Sequence, residues 1–246
     1  MAEVTHLERD EAPAAELSTR HTQQMIYAIS HDLLGATRHV KSYGKLLESR
    51  LGDGIDAEAR SYLARIDEAA DTLRIKLEAL TTLSRVNTRG EPPSPQSLES
   101  ITEAAIAETR GIATAAWATV GAEVSGWVIA DRAQLTALLV ELITNSVKFC
   151  ERPASIVIRS EMSGDRRIVS VTDSGPGFKS PAPNVAFELF RRFHRADHPG
   201  VGAGLTVVRA ILDRHGSSAT IESSSGKGTT VRFELTPAQG TAGVDA

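Results

Sequence analysis

Residues 141–149, Glu-Leu-Ile-Thr-Asn-Ser-Val-Lys-Phe, decide the fold of this chain. They continue a helical apolar pattern for which Asp131 is a suitable N-cap. Glu141 and Asn145 are four residues apart and therefore share one helix face, and Lys148 lies about one turn further along. An acid, an amide and an ammonium in one stripe can hold Mg²⁺ and phosphate groups, but a solvated helix face has the same composition. The stretch alone leaves both interpretations open.

A second segment, Asp-Ser-Gly-Pro-Gly-Phe, occupies residues 173–178. Asp173 ends a predicted strand, where its carboxylate could accept a hydrogen bond from the exocyclic amine of adenine. Gly175 and Gly177 would let the backbone approach the base. An Asp-Ser-Gly sequence is also an ordinary turn, and this segment by itself favours the turn.

The third segment, Gly-Val-Gly-Ala-Gly-Leu, occupies residues 200–205. Gly200, Gly202 and Gly204 lead into a predicted helix that begins near Leu205, and free backbone amides at a helix N-terminus favour a polyphosphate. A glycine triplet is weak evidence alone. The three segments in this order, within about 65 residues, together predict a pocket for ATP.

Far upstream, residues 30–33 read Ser-His-Asp-Leu on an amphipathic helix. At about 100° per residue, His31 lies roughly opposite the apolar seam of that helix, so we expect it to face solvent. The adjacent Asp32 could take the Nδ1 proton and leave Nε2 nucleophilic. An exposed histidine usually has no role, but in a chain with a predicted ATP pocket it is a candidate phosphoryl acceptor.

Two apolar seams with heptad spacing predict a helical hairpin. The first runs from Ile26 to Leu47 and the second from Ala59 to Leu80, with the helix-breaking Leu-Gly-Asp-Gly at residues 51–54 between them. One hairpin leaves such a seam half covered, whereas two hairpins that close into a four-helix bundle would bury it. We therefore expect a homodimer.

The pattern along the chain predicts an α+β protein in five parts. These are a flexible leader at 1–19, a dimerisation and phosphotransfer hairpin at 20–89, a linker at 90–97, an ATP-binding α/β sandwich at 98–236 and a disordered tail at 237–246. The linker contains Pro-Pro-Ser-Pro, which forbids a continuous helix. After it, segregated helices and strands predict the sandwich.

The composition argues against several other classes of protein. A net charge of −4 and only 4% aromatic residues give no indication of nucleic-acid binding. Cys150 has no second cysteine with which to form an intrachain disulfide, which fits a reducing cytosol. No window approaches about 18 consecutive apolar residues, so we expect no membrane span and a cytoplasmic location.

Together these motifs resemble the transmitter module of two-component sensor histidine kinases, in particular the phytochrome-like group. Residues 30–33 match the phosphoacceptor box, 141–149 the asparagine box, 173–177 and 200–205 the two glycine boxes, and 187–190 the phenylalanine box. The resemblance covers residues from about 20 to 236. It implies a dimeric four-helix bundle followed by a Bergerat sandwich, the nucleotide fold of gyrase and the heat-shock-90 chaperones.

The resemblance also implies a role for each matching residue. His31 would accept the phosphoryl group of Mg-ATP, with Asp32 as its acid–base partner, and a receiver domain of a response regulator would take the group from it. Asn145 and Glu141 would serve Mg²⁺. The other residues of the implied nucleotide site are Lys148 at a phosphate, Asp173 at the adenine amine, Arg192 near the γ-phosphate, Thr230 in the adenine pocket, and Gly175, Gly177, Gly200, Gly202, Gly204 and Leu205 around the nucleotide.

Three positions depart from the family pattern. Glu141 stands where an asparagine is usual, and a carboxylate there can still serve the metal or act as a base. Ala36 replaces a common proline, so the first helix should lack the usual kink. Gly35 replaces the threonine or asparagine used in the phosphatase reaction, so we expect little phosphatase activity. Residues 1–20 are too few for a sensor domain, and we expect the input to come from a separate sensor protein or from the leader.

Two other functions stay open on the sequence. A phosphotransfer or docking protein with a degenerate kinase activity could have this fold, although it would be expected to have lost Asn145 or the glycines. An ATPase or serine kinase with the same nucleotide fold would not use His31. Glu141 gives that alternative some weight, because a carboxylate at this position activates water in the gyrase-like group.

Overall fold

Two long helices form the N-terminal part of the molecule. In the computed structural model, which describes residues 14–150, 153–178, 186–188 and 202–239, helix α1 spans Ala14–Leu51 and helix α2 spans Ala57–Thr88. A 3-10 turn at Gly52–Gly54 joins them. Asp56 caps α2 because its side chain accepts a hydrogen bond from the Ala59 backbone amide at 2.7 Å. The predicted helical hairpin is confirmed.

The two helices pack antiparallel, and polar contacts connect them at several points. Ser30 on α1 is buried, and Ser84 of α2 donates a hydrogen bond to the Gln23 carbonyl at 2.6 Å. Further along, Lys41 on α1 lies 2.6 Å from Asp71 and 3.3 Å from Asp67, both on α2. These long-range polar contacts fix the register between the helices, because a slip of one turn would separate every pair.

The apolar seam of α1 is not what holds the hairpin together. Within one chain, Ile29 is 52% exposed, Leu33 43%, Val40 46% and Leu47 49%. These partly exposed side chains form an apolar row along one face of α1, and contiguous exposed apolar patches mark interaction sites in many proteins. Within the described ranges, every helix is too short or too polar to cross a lipid bilayer.

The second part of the chain is an α/β sandwich. A five-stranded sheet has the order β2-β4-β5-β7-β6, in which β2 and β4 are parallel and the other neighbours are antiparallel. A smaller sheet has the order β1-β3-β8. The bounds are β1 Ser94–Ser97, α3 Leu98–Ala115, β2 Thr119–Glu123, β3 Trp127–Ala130, α4 Arg132–Phe149, β4 Ser155–Ser163, β5 Arg166–Asp173, α5 Gly204–Arg214, β6 Ala219–Ser223, β7 Thr229–Leu235 and β8 Pro237–Ala238.

The core of the sandwich lies between helix α4 and the large sheet. Leu138, Leu139 and Ile143 on α4 are fully buried, as are Ile158 on β4 and Phe233 on β7. Each such side chain contributes roughly 1.5–3 kcal/mol to stability relative to an exposed one. Because α4 buries this face, the side chains on its flank are presented beside the end of β5, where the candidate site lies.

Two predicted boundaries of the outer segments differ from the structure. Helix α1 begins at Ala14, so residues 14–19 of the predicted leader are helical. Pro237 and Ala238, at the start of the predicted tail, form β8 and pair with Val128 and Trp127 of β3. A two-residue strand carries no alternation from which it could have been predicted.

The predicted linker at 90–97 is also too long. Ser94–Ser97 forms strand β1, which pairs antiparallel with β3 from Ser94 opposite Ala130 to Ser97 opposite Trp127. Pro95 made a strand improbable from the sequence, but β1 lies at the edge of its sheet, where a missing amide donor is tolerated. The connection between the hairpin and the sandwich is therefore residues 89–93.

Polar contacts tie this short connection to the sandwich. The Glu91 amide donates to Asp131 Oδ2 at 2.7 Å, and Arg214 at the end of α5 donates to the same oxygen at 3.0 Å and to the Glu91 carbonyl at 2.7 Å. Gln134 of α4 donates to the Val86 carbonyl near the end of α2 at 2.8 Å. Asp131 is only 3% exposed, so the centre of this network is buried, whereas the bond from Arg214 to the Glu91 carbonyl lies at the surface.

Candidate functional site

A cavity of about 340 Å³ opens beside the C-terminal half of α4. It brings together most of the side chains that the sequence predicted for a nucleotide site. Those that line it are Glu141, Asn145, Lys148, Asp173, Gly177, Gly202, Gly204 and Leu205. Arg192 and Gly200 lie outside the described residues. The cavity thus joins the three sequence segments in one place.

Asp173 is held at the end of β5 by two backbone amides, by Ser146 and by the neighbouring Cys150 thiol. Its Oδ1 accepts from the backbone amides of Gly175 at 2.9 Å and Thr229 at 3.0 Å, and Ser146 Oγ donates to Oδ2 at 3.3 Å. Two donors saturate Oδ1, so the remaining acceptor capacity lies on Oδ2. A fixed carboxylate oxygen with a spare lone pair suits an amine such as that of adenine.

Backbone crowding around Asp173 explains two of the glycines. Gly177 has φ of 60°, and a Cβ there would lie 2.1 Å from the Ser224 carbonyl oxygen. Gly228 has φ of 76°, and its Cβ would lie 2.0 Å from the Asp173 carbonyl oxygen. Neither space nor φ permits another residue at these positions without movement of the backbone. They let two turns close against the strand that carries Asp173.

The first residue of α5 lies directly against the acid–amide pair. A Cβ at Gly204 would lie 2.7 Å from both Glu141 Oε2 and Asn145 Nδ2. The glycine therefore brings the free amides at the α5 N-terminus next to these two side chains, where they favour anions. Burial raises the pKa of the Glu141 carboxyl, while the Lys148 ammonium opposes this shift.

The donor atoms fit Mg²⁺ better than a transition metal. Glu141 and Asn145 offer oxygen ligands, and no cluster of three His, Cys, Asp or Glu side chains suited to a metal occurs among the described residues. Mg²⁺ typically takes one or two protein oxygens and completes its shell with phosphate oxygens and water. The residues present therefore suit a metal that arrives with a polyphosphate.

One predicted pocket residue is displaced by a single position. Thr229 lines the cavity and its amide donates to Asp173, whereas Thr230 does not line it and its Oγ1 lies 3.0 Å from Thr172 Oγ1. Successive side chains of a strand point to opposite faces, so a shift of one residue changes the face. The prediction of Thr230 as a pocket residue is wrong, and Thr229 takes its place.

Helix α2 forms a wall of the same cavity, which the sequence did not predict. Its residues Ile75, Glu78, Ala79 and Thr82 line the cavity opposite the sandwich. The pattern of α2 indicated only a dimerisation helix, because the contact depends on how the hairpin docks on the sandwich. Ala79 is buried although it lies outside the predicted seam, and nothing in the sequence indicated this contact.

His31 lies on α1 with its side chain 68% exposed, as expected. Asp32 Oδ1 is 3.6 Å from His31 Nδ1, which is an ion-pair distance but longer than a hydrogen bond. His31 and Asp32 are not among the described residues that line the cavity. Phosphoryl transfer would therefore need the sandwich to present its cavity to this histidine.

Cys150, the residue that caps α4, has its thiol beside Asp173. Burial and the neighbouring carboxylate raise the pKa of Cys150 to about 12. The thiol therefore stays protonated at neutral pH, and thiolate chemistry at this site is disfavoured.

Comparison with known proteins agrees with this geometry. Residues 130–239 match the family described as Histidine kinase-, DNA gyrase B-, and HSP90-like ATPase. Cyanobacterial phytochrome A of Nostoc sp. is 28% identical over 222 residues, which cover 89% of this chain and 29% of that protein. The methanogenesis regulatory histidine kinase FilI of Methanothrix harundinacea is 30% identical over 227 residues, which cover 89% of this chain and 25% of that protein.

A solved structure shares the architecture of both parts. The histidine kinase ThkA in complex with the response regulator protein TrrA superimposes with a TM-score of 0.64 at 18% identity, over 94% of this chain and 68% of that one. The fold and the cavity thus define an ATP-binding sandwich behind a helical hairpin. Residues 130–239 thus match the family of histidine kinase-like ATPases, and 89% of the chain is similar to part of a cyanobacterial phytochrome and of a sensor histidine kinase. The chain spans between a quarter and a third of the length of the curated relatives above.

Proposed function

We propose that this chain is an ATP-dependent protein-histidine kinase that phosphorylates itself on His31 and passes the phosphoryl group to an aspartate of a response regulator. The observation that carries the proposal is the coexistence of two features in one chain. One is the cavity that gathers Asp173, Asn145 and Lys148, and the other is the exposed His31–Asp32 pair on the hairpin that docks beside it.

In this proposal each part of the cavity meets a different part of ATP. Asp173 Oδ2 accepts from the exocyclic amine of adenine, and Thr229 lies beside the base. Lys148 and the amides at the start of α5 face the polyphosphate. Asn145 and Glu141 would hold Mg²⁺, which supplies charge neutralisation at the phosphate oxygens.

His31 is the nucleophile of the proposed reaction. Its Nε2 attacks the γ-phosphorus of ATP, the bond from phosphorus to the β,γ-bridging oxygen breaks, and ADP leaves. The Nδ1–H becomes more acidic as the imidazole gains the phosphoryl group, and Asp32 stabilises or accepts that proton. In the second step a receiver aspartate attacks the phosphorus and the imidazole leaves. The solved complex of ThkA with a response regulator supports this class of partner.

We also propose that the active form is a homodimer through residues 20–88. The exposed seam of α1, from Ile29 to Leu47, matches a second seam on α2 that includes Ile66 at 46% and Leu73 at 46% exposure. Pairing two hairpins would bury both seams in a four-helix bundle.

Phosphatase activity toward the regulator should be weak. Gly35 stands one turn after His31 and offers no side chain to orient water. A Cβ at Gly35 would meet nothing within 4 Å, so a threonine fits there without steric conflict. Gly35→Thr is therefore a usable gain-of-function variant for the phosphatase reaction.

One observation favours a second candidate function. Glu141 lies inside the cavity beside Asn145, where its carboxylate could act as a general base, and burial raises the pKa of that carboxyl. This arrangement would also suit an ATPase that directs water rather than His31 at the γ-phosphate.

The chemical stability of the protein-bound phosphate in acid and base distinguishes the two functions. We expect incubation with γ-labelled ATP and Mg²⁺ to give protein-bound phosphate that is lost in acid and retained in base, and to transfer to some members of a panel of receiver domains. Acid-stable label would indicate a serine or threonine acceptor. Phosphate release without any protein-bound label would indicate an ATPase, and either result would contradict the proposal.

A further inference from the structure

Tyr27 lies one helical turn before His31 and stacks on its ring. The two ring centroids are 6.4 Å apart with an angle of 23° between the ring planes. Helical side chains lean toward the N-terminus, so a residue at position i+4 covers the turn that carries residue i. The largely exposed imidazole of His31 thus has two neighbours on its own helix, the Tyr27 ring against its face and the Asp32 carboxylate 3.6 Å from Nδ1.

Two arginines from the end of α2 cover the same tyrosine. The Arg85 and Arg89 guanidinium carbons lie 5.3 Å and 5.2 Å from the centre of the Tyr27 ring, within cation–π range. Arg85 also donates to Tyr27 Oη at 3.3 Å, and this hydrogen bond lowers the pKa of the phenol. Tyr27 is therefore held from both helices of the hairpin.

The second arginine connects this cluster to the sandwich. Arg89 is the residue that ends α2 and begins the connection at 89–93. Two residues later, Glu91 is hydrogen-bonded through both its amide and its carbonyl to Asp131 and Arg214 of the sandwich. A movement of the sandwich that pulls on Glu91 will reach Arg89 over a chain of two residues.

We propose that Tyr27 is a positioning residue that orients the imidazole of His31 for phosphoryl transfer, and that Arg85 and Arg89 make this orientation depend on the position of the interdomain connection. The inference rests on the proposed function of His31. Tyr27 neither forms a bond to phosphorus nor transfers a proton. The tyrosine restricts the rotation of a largely exposed ring that Asp32 contacts only through Nδ1, and this restriction raises the fraction of time that Nε2 faces the γ-phosphate.

The first experiment replaces the ring and follows the reaction rate. We expect Tyr27→Leu to lower the autophosphorylation rate at saturating ATP about threefold to tenfold with an unchanged KM for ATP. Tyr27→Phe retains the ring and should stay within twofold of the wild type. Tyr62→Leu, which removes an exposed tyrosine near the far end of the hairpin, is the matched control and should leave the rate unchanged.

A readout independent of the reaction tests the stacking itself. The His31 imidazole protons, assigned by their absence in His31→Gln, should be shifted upfield by the Tyr27 ring in the wild type and in Tyr27→Phe. In Tyr27→Leu they should move downfield. If Tyr27→Leu changes neither these resonances nor the rate, or if Tyr62→Leu lowers the rate equally, the positioning role is refuted.

A variant of the sandwich tests whether the interdomain connection at residues 89–93 affects the orientation of His31. Arg214→Gln removes the hydrogen bond to the Glu91 carbonyl, while the bond from the Glu91 amide to Asp131 remains. This loosening should shift the His31 resonances in the direction seen for Tyr27→Leu, but by less. Arg209→Gln, which removes an exposed arginine of the same helix α5, is the control and should leave them in place. Unshifted His31 resonances in Arg214→Gln would refute the dependence on the connection.

These outcomes are distinct from a failure of the proposed function. If His31 is not the phosphoacceptor, the wild type and His31→Gln take up label equally, whatever Tyr27 does. If only the positioning role is wrong, the wild type is labelled on His31 and Tyr27→Leu is labelled at the same rate.

Discussion

The hairpin and the sandwich differ in how far each buries its apolar side chains within one chain. The sandwich buries a continuous core within one chain, with Leu138, Ile158 and Phe233 at 0–1% exposure. The hairpin buries Leu77, joins its helices by polar contacts such as Lys41 to Asp71, and leaves apolar residues such as Val40 about half exposed. The sandwich core thus needs no second chain, whereas the exposed seam of the hairpin is the surface that the proposed dimer would bury. The stability of the hairpin, unlike that of the sandwich, should therefore depend on protein concentration.

The largest expected effect follows from breaking the sandwich core. Leu138→Ala removes a fully buried side chain from α4 and should lower the free energy of unfolding by about 2–5 kcal/mol. Because this core lies within one chain, we expect the same loss at every protein concentration. Thermal unfolding at several concentrations measures it, and the exposed Leu46→Ala on α1 serves as a comparison of the same chemical change. A loss below about 1 kcal/mol for Leu138→Ala would contradict the described core.

The second prediction breaks the hairpin surface. Val40→Asp places a charge in the exposed seam and should weaken dimerisation about 100-fold, because a carboxylate buried in an apolar bundle is costly. Light scattering across a dilution series measures the change. Ser42→Asp, which adds the same charge outside the seam, should leave the dimer intact. A wild-type chain that is monomeric at micromolar concentration would rule out the proposed assembly.

The third prediction tests the hydrogen-bonding capacity left on Asp173. Asp173→Asn keeps the shape of the side chain, but its amide would direct a donor at the amine of adenine. We expect ATP affinity to fall about 10- to 100-fold, as for loss of a charged hydrogen bond. Calorimetric titration measures it, with the exposed turn variant Asp165→Asn as control. Unchanged affinity in Asp173→Asn would mean that adenine binds elsewhere.

The smallest effect concerns the acid in the cavity. Burial raises the pKa of Glu141 in the folded protein above its ordinary value of 4.5, so the folded state prefers the protonated carboxyl. The contribution of the Glu141 carboxyl to the free energy of unfolding is fully present below pH 4.5 and is lost as the pH rises through the pKa of the folded state. We therefore expect Glu141→Gln to raise the Tm slightly at pH 7 and hardly at all near pH 4.

The matched control for Glu141 is Glu108→Gln, which changes an exposed acid on α3 in the same way. It should have the same Tm as the wild type at both pH values. A Tm for Glu141→Gln that falls at pH 7 would contradict the sign of the predicted shift and would indicate that the ionised carboxylate stabilises the fold.

The sequence predicted the parts of the molecule that repeat with a regular period. Helices α1, α2 and α4 follow from apolar spacing, and Asp131 was correctly identified as the cap of α4 because a capping residue acts locally. Strands β1 and β8 were missed, since each is short and is defined by pairing with the distant β3. Features set by neighbouring residues were therefore predictable, and features set by pairing with distant residues were not.

The candidate site likewise contains residues that the motifs predicted and residues that only the packing of the two parts reveals. Motif residues such as Asn145, Asp173 and Gly204 meet at one cavity, as their order in the chain predicted. The wall formed by α2 could not be predicted, because it arises where the hairpin docks against the sandwich. Thr229 was missed because the face of a strand changes with every residue, so a motif placed one position off selects the wrong side.

The most direct test of the central claim is the identity of the phosphorylated residue. We expect wild-type protein and His39→Gln to take up γ-phosphate from Mg-ATP into an acid-labile form, and His31→Gln to take up none. His39 is an exposed histidine eight residues further along the same helix, so it controls for the loss of any histidine on α1. Labelling of His31→Gln at the wild-type level would contradict the account.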